Sequence, residues 1–306
     1  MSVQHADPLD EVLALVGVTA GMSTSLVAGG DWAIAFEPPP AVKFNAVARG
    51  ACLLTVAGVP EPIALREGDC FLMVQSRAFT LASSPGVPPE PAGPIWAAAA
   101  DGGVATAGSG DGVRVIGGRF DFGDRARELL LDALPPVLHV PGDSAAAATL
   151  RWSLLRIDAE MRDRPTGSAL VVEHLALIML IHMLRLVPAG GAGLLAGLAD
   201  PVVAPALRAL HAEPARAWTV AELAGVAAVS RSTLAARFRQ VVGRGPLDYL
   251  TGWRIELAAG RLRRGDGTVA AIARGVGYGS ESALSNAFKR VTGFSPRDYR
   301  RSVLTG

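Results

Sequence analysis

Two stretches near the C-terminus carry side chains of the types and spacing that contact a polyanion and hydrogen-bond to base edges. Ser230-Arg231-Ser232-Thr233-Leu234-Ala235-Ala236-Arg237-Phe238-Arg239 is followed by Gly243, Pro246 and Tyr249. Fifty residues on, Ser280-Glu281-Ser282-Ala283-Leu284-Ser285-Asn286-Ala287-Phe288-Lys289 is followed by Arg290, Gly293, Pro296 and Tyr299. In each copy the Ser is placed to cap a helix, and Leu, Phe and Val at i, i+4 and i+7 form a stripe to be buried. The remaining face is small, polar and basic: Arg231, Ser232, Thr233, Ala235, Ala236 and Arg239 in the first copy. In the second it holds Ser280, Glu281, Ser282, Ser285, Asn286, Lys289 and Arg290. Such a face permits close approach to a groove, where bulky apolar side chains would block it. A helical unit present twice points to tandem readers of something periodic, and B-DNA is the obvious candidate.

Other constellations are weaker. His174 and His182 lie eight apart beside Glu173, about two helical turns, too far for one metal on a straight helix, and read as interface or core histidines. None of the five histidines falls within residues 23–122. Cys52 and Cys70, the only cysteines, are expected to be free in a reducing compartment and to pack as small hydrophobes, with a redox role left open. No Gly-rich phosphate loop, nucleophile elbow or paired-carboxylate motif is evident. No catalytic residue, cofactor site or metal site is expected, and the chain is not expected to be an enzyme.

Charge supports a division of labour. Residues 200–306 hold 16 Lys/Arg against 8 Asp/Glu, a net +8; residues 1–199 hold 13 against 20, a net −7. Only the C-terminal third suits a polyanion. The longest apolar run, Leu170 to Val187, contains Glu173, His174, His182 and Arg185 and is not expected to span a bilayer. The acidic N-terminus shows no signal-peptide pattern, so a cytoplasmic location is expected.

The elements that must position these residues follow from periodicity. Asp7-Pro8 starts a short helix, with Asp as N-cap and Pro at the first position. Between about 23 and 122 short β-like runs, clearest at 32–36, 42–48, 52–56, 70–74, 78–82 and 113–122, predict a small antiparallel barrel. The Pro/Gly/Ala-rich stretch 83–112 reads as a mobile loop within it. Helices are predicted at about 143–163, capped by Asp143 or Ser144, and at 167–187. The latter is apolar nearly all round and must be covered by the barrel or by a second copy. Residues 188–197 read as a linker. Thr219-Val-Ala-Glu222 is a capping box, Thr268 caps the corresponding helix of the second copy, and Pro246 to Arg264 is one long helix between the copies.

With these elements in place, residues 205–302 resemble the DNA-binding domain of the AraC/XylS family of bacterial transcription regulators. The carrying residues are Leu223-Ala224, Ser230 to Phe238, Gly243, Pro246, Tyr249, Arg254-Ile255, Ile272-Ala273, Gly277-Tyr278, Ser280 to Lys289, Gly293-Phe294-Ser295-Pro296 and Tyr299-Arg300. The resemblance implies base reading by Arg231, Ser232, Ala235 and Ala236 in one helix and Glu281, Ser282, Ser285 and Asn286 in the other. Ala235 and Ala236 replace longer polar readers, which points to thymine-methyl and shape contacts; Asn286 in place of Arg points to adenine. Residues 7–140 resemble the cupin-type ligand-binding domain of the same family, carried by Trp32 to Phe36, Lys43 to Gly50, Glu67 to Cys70 and Leu134 to Leu138. Asn45 and Phe79 stand where a metal-binding cupin would place histidines.

The expected fold is α+β: an N-terminal antiparallel cupin-like β-barrel sensor (1–140), a helical dimerisation region (141–199) and an all-α tandem helix-turn-helix domain (200–306). The expected function is sequence-specific regulation of transcription, modulated by a small-molecule effector in the barrel. The expected partners are double-stranded promoter DNA, an effector of unknown identity and a second copy of the chain, with RNA polymerase a further candidate and no membrane. Two alternatives stand: a cupin-fold binder or enzyme whose C-terminal domain no longer reads DNA, and a sequence-independent architectural DNA protein.

Overall fold

A computed structural model describes residues 7–22, 25–99, 104–122, 130–131, 133–144, 147–187 and 192–304. The chain forms two compact units, one built from residues 18–123 and 131–187, the other from residues 1–17, 124–130 and 188–306. These units cut across the three consecutive segments 1–140, 141–199 and 200–306.

The first unit is two packed sheets. One contains β1 (Thr19–Met22), β2 (Ser25–Gly29), β4 (Val42–Arg49), β7 (Cys70–Met73), β10 (Val104–Gly108), β11 (Val113–Asp121) and β12 (Val137–Val140). Its order is β10-β2-β11-β4-β7-β12, with β1 also on β11. The other contains β3 (Ala33–Phe36), β5 (Ala51–Val56), β6 (Ile63–Arg66), β8 (Phe79–Ala82) and β9 (Glu90–Pro91), ordered β6-β5-β8-β3-β9. The barrel expectation is corrected here: among the described residues no ladder of hydrogen bonds joins the two sheets, so the strands do not close. An apolar core that includes Leu26, Ile34, Val47, Leu54, Phe71 and Leu81 fills the unit. The chain switches sheets between β4 and β5 at Gly50 (φ +80°), where a Cβ would collide with the Gly112 carbonyl, so the corner requires glycine.

Residues 83–112 are not simply a loop. They contain β9, the helix α2 (Ala92–Ala98) and β10, which pairs in parallel with β2 from Val104↔Ser25 to Gly108↔Gly29. Ile95 and Trp96 of α2 pack against the core, anchorage that a compositional reading of Pro and Gly does not reveal. A turn is fixed by Asp69: its carboxylate accepts from Arg66 N–H (3.0 Å) and Gly142 N–H (2.7 Å) and lies 3.0 Å from His139 Nε2.

Two helices complete this unit, α3 (Ala147–Asp163) and α4 (Ser168–Arg185). Residues 145–146, next to the predicted cap, lie outside the described residues; the Ser144 hydroxyl donates back to Pro141 O at 2.8 Å. Arg114 of β11 pairs with Asp158 of α3 at 2.8 Å. The apolar helix α4 has two faces. Val172, Leu175, Met179, Leu180 and Met183 are buried, while Leu170, Val171 and Ile178 are exposed, as are Trp152 and Leu155 of α3.

The second unit is helical: α1 (Pro8–Val16), α5 (Leu194–Ala199), α6 (Val203–Ala212), α7 (Val220–Val226), α8 (Arg231–Val242), α9 (Pro246–Arg263), α10 (Val269–Gly275), α11 (Glu281–Thr292) and α12 (Pro296–Leu304). Asp7 caps α1 by accepting from Leu9 N–H. The predicted linker 188–197 is corrected in part, because Leu194, Leu195 and Ala196 are buried in α5. Such a Leu-Leu-Ala run gains more from burial than from solvation as a tether. The helix α1 packs here through His211, which is buried. Its Nδ1 lies 2.8 Å from Glu11 Oε2, its Nε2 2.7 Å from the Tyr249 hydroxyl, and its ring 4.3 Å from that of Trp253.

Candidate nucleic-acid interface

The helices of each repeat begin as the sequence dictates. Thr219 and Glu222 form a reciprocal capping box on α7; Ser230 accepts from Thr233 N–H to start α8. Thr268 and Ser280 do the same for α10 and α11. Gly243 and Gly293 end α8 and α11 in the left-handed conformation, each donating its N–H to the carbonyl four residues back. Burial then fixes the facing. Leu234, Phe238 and Val241 in α8, and Leu284, Ala287 and Phe288 in α11, are buried. Phe238 lies edge-on to Tyr249 and Phe288 to Tyr299, so the duplicated Phe and Tyr make the same scaffold contact in both copies.

The opposite faces are open. Arg231, Ser232, Thr233, Ala236 and Arg239 are exposed on α8, with Ala235 half-buried. In the second copy Ser280, Ser282, Asn286, Lys289 and Arg290 are exposed, with Glu281 and Ser285 half-buried. Part of this polar surface is already engaged. The hydroxyls of Ser232 and Thr233 lie 2.9 and 2.8 Å from the Ser230 hydroxyl. Arg297 of α12 donates to Glu281 at 3.0 Å, so that carboxylate at the start of α11 is already neutralised. Among the described residues, Arg231, Arg239, Lys289 and Arg290 form no ion pair.

Three arginines of the unit, Arg237, Arg254 and Arg263, have partners within the fold that motif reasoning does not reveal. Arg237, in the middle of the first motif, reaches Asp200 through Nε and Nη2, both at 2.7 Å. Asp200 also accepts from Val202 and Val203 N–H at 2.9 Å each. Burial alone would raise the Asp200 carboxyl; the Val203 N–H, Arg237 and the Val202 N–H outweigh it and hold the group below its ordinary range. Arg254 on α9 donates to the carbonyls of Pro214 and Arg216 at 2.7 Å each, and burial lowers its pKa. Arg263 bonds to the Tyr299 hydroxyl at 2.8 Å and to Leu15 O at 3.2 Å. These partners are distant in sequence, so spacing carries no signal of them.

The two units of the repeat differ in their turns. The first passes through Ala228 at φ 54°, the second through Gly277 at φ 87°. A Cβ on Gly277 would lie 2.5 Å from Ala215 O, so only the second copy demands glycine on steric as well as torsional grounds.

The remaining singled-out residues stay apart from this surface. His174 is exposed, with Nδ1 2.8 Å from Leu170 O, and His182 is half-buried; neither joins a group of three metal-ligating side chains among the described residues. Cys52 and Cys70 are buried, and burial, with Asp69 nearby, pushes each thiol up to about 12.

Two capped helix-turn-helix units joined by a long helix, with exposed basic faces, define a tandem helix-turn-helix DNA-binding protein. Residues 223–302 match the helix-turn-helix domain family and residues 7–189 the cupin family. The chain is 59% identical to an AraC-like transcription regulator of Streptomyces lividans and 58% identical to one of Streptomyces antibioticus, covering in each case 96% of this chain and 98% of the relative. Among solved structures, the DNA-binding domain of AdpA in complex with a target DNA is 33% identical over 35% of this chain and 95% of that chain, with a TM-score of 0.33. The chain belongs to the AraC family, and it is a sequence-specific DNA-binding transcription regulator with a cupin N-terminal domain.

Proposed function

We propose that α8 and α11 each enter a major groove, at two unlike half-elements about one helical turn apart. The observation that supports this most is the set of four exposed cations, Arg231, Arg239, Lys289 and Arg290, that form no ion pair among the described residues. They differ from Arg237, Arg254 and Arg263, which are spent on the scaffold. In this reading they contact phosphates. Ser232, Ala235 and Ala236 on one helix, and Ser282, Ser285 and Asn286 on the other, meet base edges, with Glu281 positioned by Arg297. Binding of the full chain to a promoter fragment, measured by fluorescence anisotropy across a salt series, tests it. Each Arg or Lys to Ala change should weaken binding to all sequences alike and lower the salt slope by about 1. Asn286→Ala should instead relax preference at one position. Slopes unchanged by all four substitutions would refute the assignment.

The exposed apolar side chains of Trp152 and Leu155 on α3 and of Leu170 and Ile178 on α4 support a homodimer through these helices. The helix α4 is also long and apolar enough to cross a membrane. Its buried face of Val172, Leu175, Met179 and Met183 favours a soluble, cytoplasmic protein. In this reading a small-molecule effector binds the cupin unit and shifts how the paired DNA-binding units are presented, through different affinity for two arrangements. The chain is not an enzyme, and RNA polymerase is the partner expected at an activated promoter.

A further inference from the structure

The helix α4 carries a row of side chains that reads the same in both directions. Leu170, His174, Ile178, His182 and Leu186 follow one another at intervals of four, Leu186 being the helical C-cap. Residues four apart lie on one ridge of an α-helix, so these five side chains form a single line along it. Leu170 is 61% exposed, and Ile178 and Leu186 are 38% exposed each. His174 is exposed and His182 half-buried.

Reversal symmetry is what a surface needs to pair with a second copy of itself, because in a twofold interface residue i meets residue j and j meets i. An antiparallel pair of α4 helices centred on Ile178 sets Leu170 against Leu186 and His174 against His182, twice over. Ridges of this kind run side by side when two helices cross at about −50°. Charge selects the same orientation. Histidines apart, α4 holds only Glu173 towards its start and Arg185 at its end. Antiparallel packing brings Glu173 of one copy near Arg185 of the other, whereas parallel packing sets like charges together. A lipid surface has no use for the symmetry and would desolvate two imidazoles at a cost.

The two histidines of one helix stand about 12 Å apart along its axis, too far to share one cation. A second copy closes that gap. His174 is also prepared as a ligand. Its Nδ1 lies 2.8 Å from Leu170 O, and a carbonyl only accepts, so the neutral ring carries its proton on Nδ1 and keeps the Nε2 lone pair for another partner. A ring N–H held by a backbone carbonyl is the usual support of a metal-bound imidazole.

We propose that His174 of one copy and His182 of the partner subunit together bind a divalent transition cation of the zinc or nickel class, at two equivalent sites in the dimer. Imidazole nitrogen suits these cations, whereas magnesium prefers oxygen; water completes the coordination. The proposal rests on the homodimer reading and supplies its register and its ligand chemistry.

The test follows the full chain by sedimentation equilibrium with micromolar zinc chloride, against magnesium chloride and against EDTA. With both sites at ten times their dissociation constant, mass action tightens the dimer about 100-fold. Magnesium should have no effect. His174→Ala and His182→Ala should each dimerise as the parent does in EDTA and lose the zinc response. Cross-linking reads the register separately, since Cys52 and Cys70 are buried. Ile178→Cys, on the twofold axis, should join to its own counterpart on mild oxidation. Leu170→Cys, about 24 Å from its counterpart, should not, but should join to Leu186→Cys in a mixture of the two. Zinc that leaves the parent dimer unchanged, or a zinc response kept by either histidine variant, would overturn the metal site. A dimer in which Leu170→Cys joins to itself and Ile178→Cys does not would overturn the register and the site with it, leaving the homodimer intact. A chain monomeric in every sample would overturn the homodimer reading as well.

Discussion

Replacing Asp200 tests how α8 is held. The side chain is 3% exposed and does two jobs. It accepts from the Val202 and Val203 N–H groups, covering free donors at the start of α6, and it holds Arg237 of α8. Asp200→Ala loses a capping interaction of about 1 kcal/mol. The Arg237 side chain is 42% exposed, so solvent screening limits the ion pair to at most about 1 kcal/mol. The sum predicts a loss of about 2 kcal/mol in the helical unit. Asp200→Asn keeps an acceptor for the cap but loses the charge, and should cost about half as much. The folded carboxyl titrates below its ordinary value of 3.8, so the unfolded chain binds this proton more tightly than the folded one. The charge therefore stabilises fully above that ordinary value, and its contribution fades as pH falls through the lower folded value. Urea unfolding read by hydrogen exchange of peptides from α6 and α8 should show a parent-to-Asn gap that is flat from neutral pH to about pH 4 and narrows below it. A gap independent of pH down to about pH 3, or an Ala variant within about 0.5 kcal/mol of the parent, would refute the reasoning.

The turns of the repeat should respond oppositely: Ala228→Gly should stabilise by about 0.5 kcal/mol, since relief of left-handed strain exceeds the entropy glycine adds to the unfolded chain. Gly277→Ala should destabilise by at least about 2 kcal/mol, and thermal melts that moved both variants the same way would contradict the geometry. Trp152→Glu with Leu155→Glu should shift the chain to monomer in sedimentation velocity and weaken promoter binding; an unchanged sedimentation coefficient would place any dimer contact elsewhere. With both thiols pushed up to about 12, Cys52 and Cys70 should react with a thiol reagent at neutral pH only as fast as the fold opens, so added urea should accelerate labelling. Rapid labelling of the native protein would count against their burial.

Much of the DNA-binding unit is legible in the sequence because its signals are local. A capping Ser lies three residues from the N–H it serves, and the Leu and Phe of each stripe lie four apart, so Ser230, Leu234, Phe238 and their counterparts place α8 and α11 and expose their outer faces without tertiary information. The cupin sheets are legible as strands but not as pairings, because β-ladders join distant segments. Nothing near residues 104–108 announces a parallel partner at 25–29, and barrel closure is a property of edges that no single strand encodes. Which arginine is held within the fold and which is left exposed is also decided at long range. Arg231 and Arg237 sit in one motif, yet only the fold brings Asp200 to Arg237. Likewise the sequence alone placed Asn45 on a strand without a histidine. The tertiary structure buried its amide beside Lys43 and opposite Gly117, because the β4–β11 register and the second sheet, not the neighbouring residues, determine what that face meets.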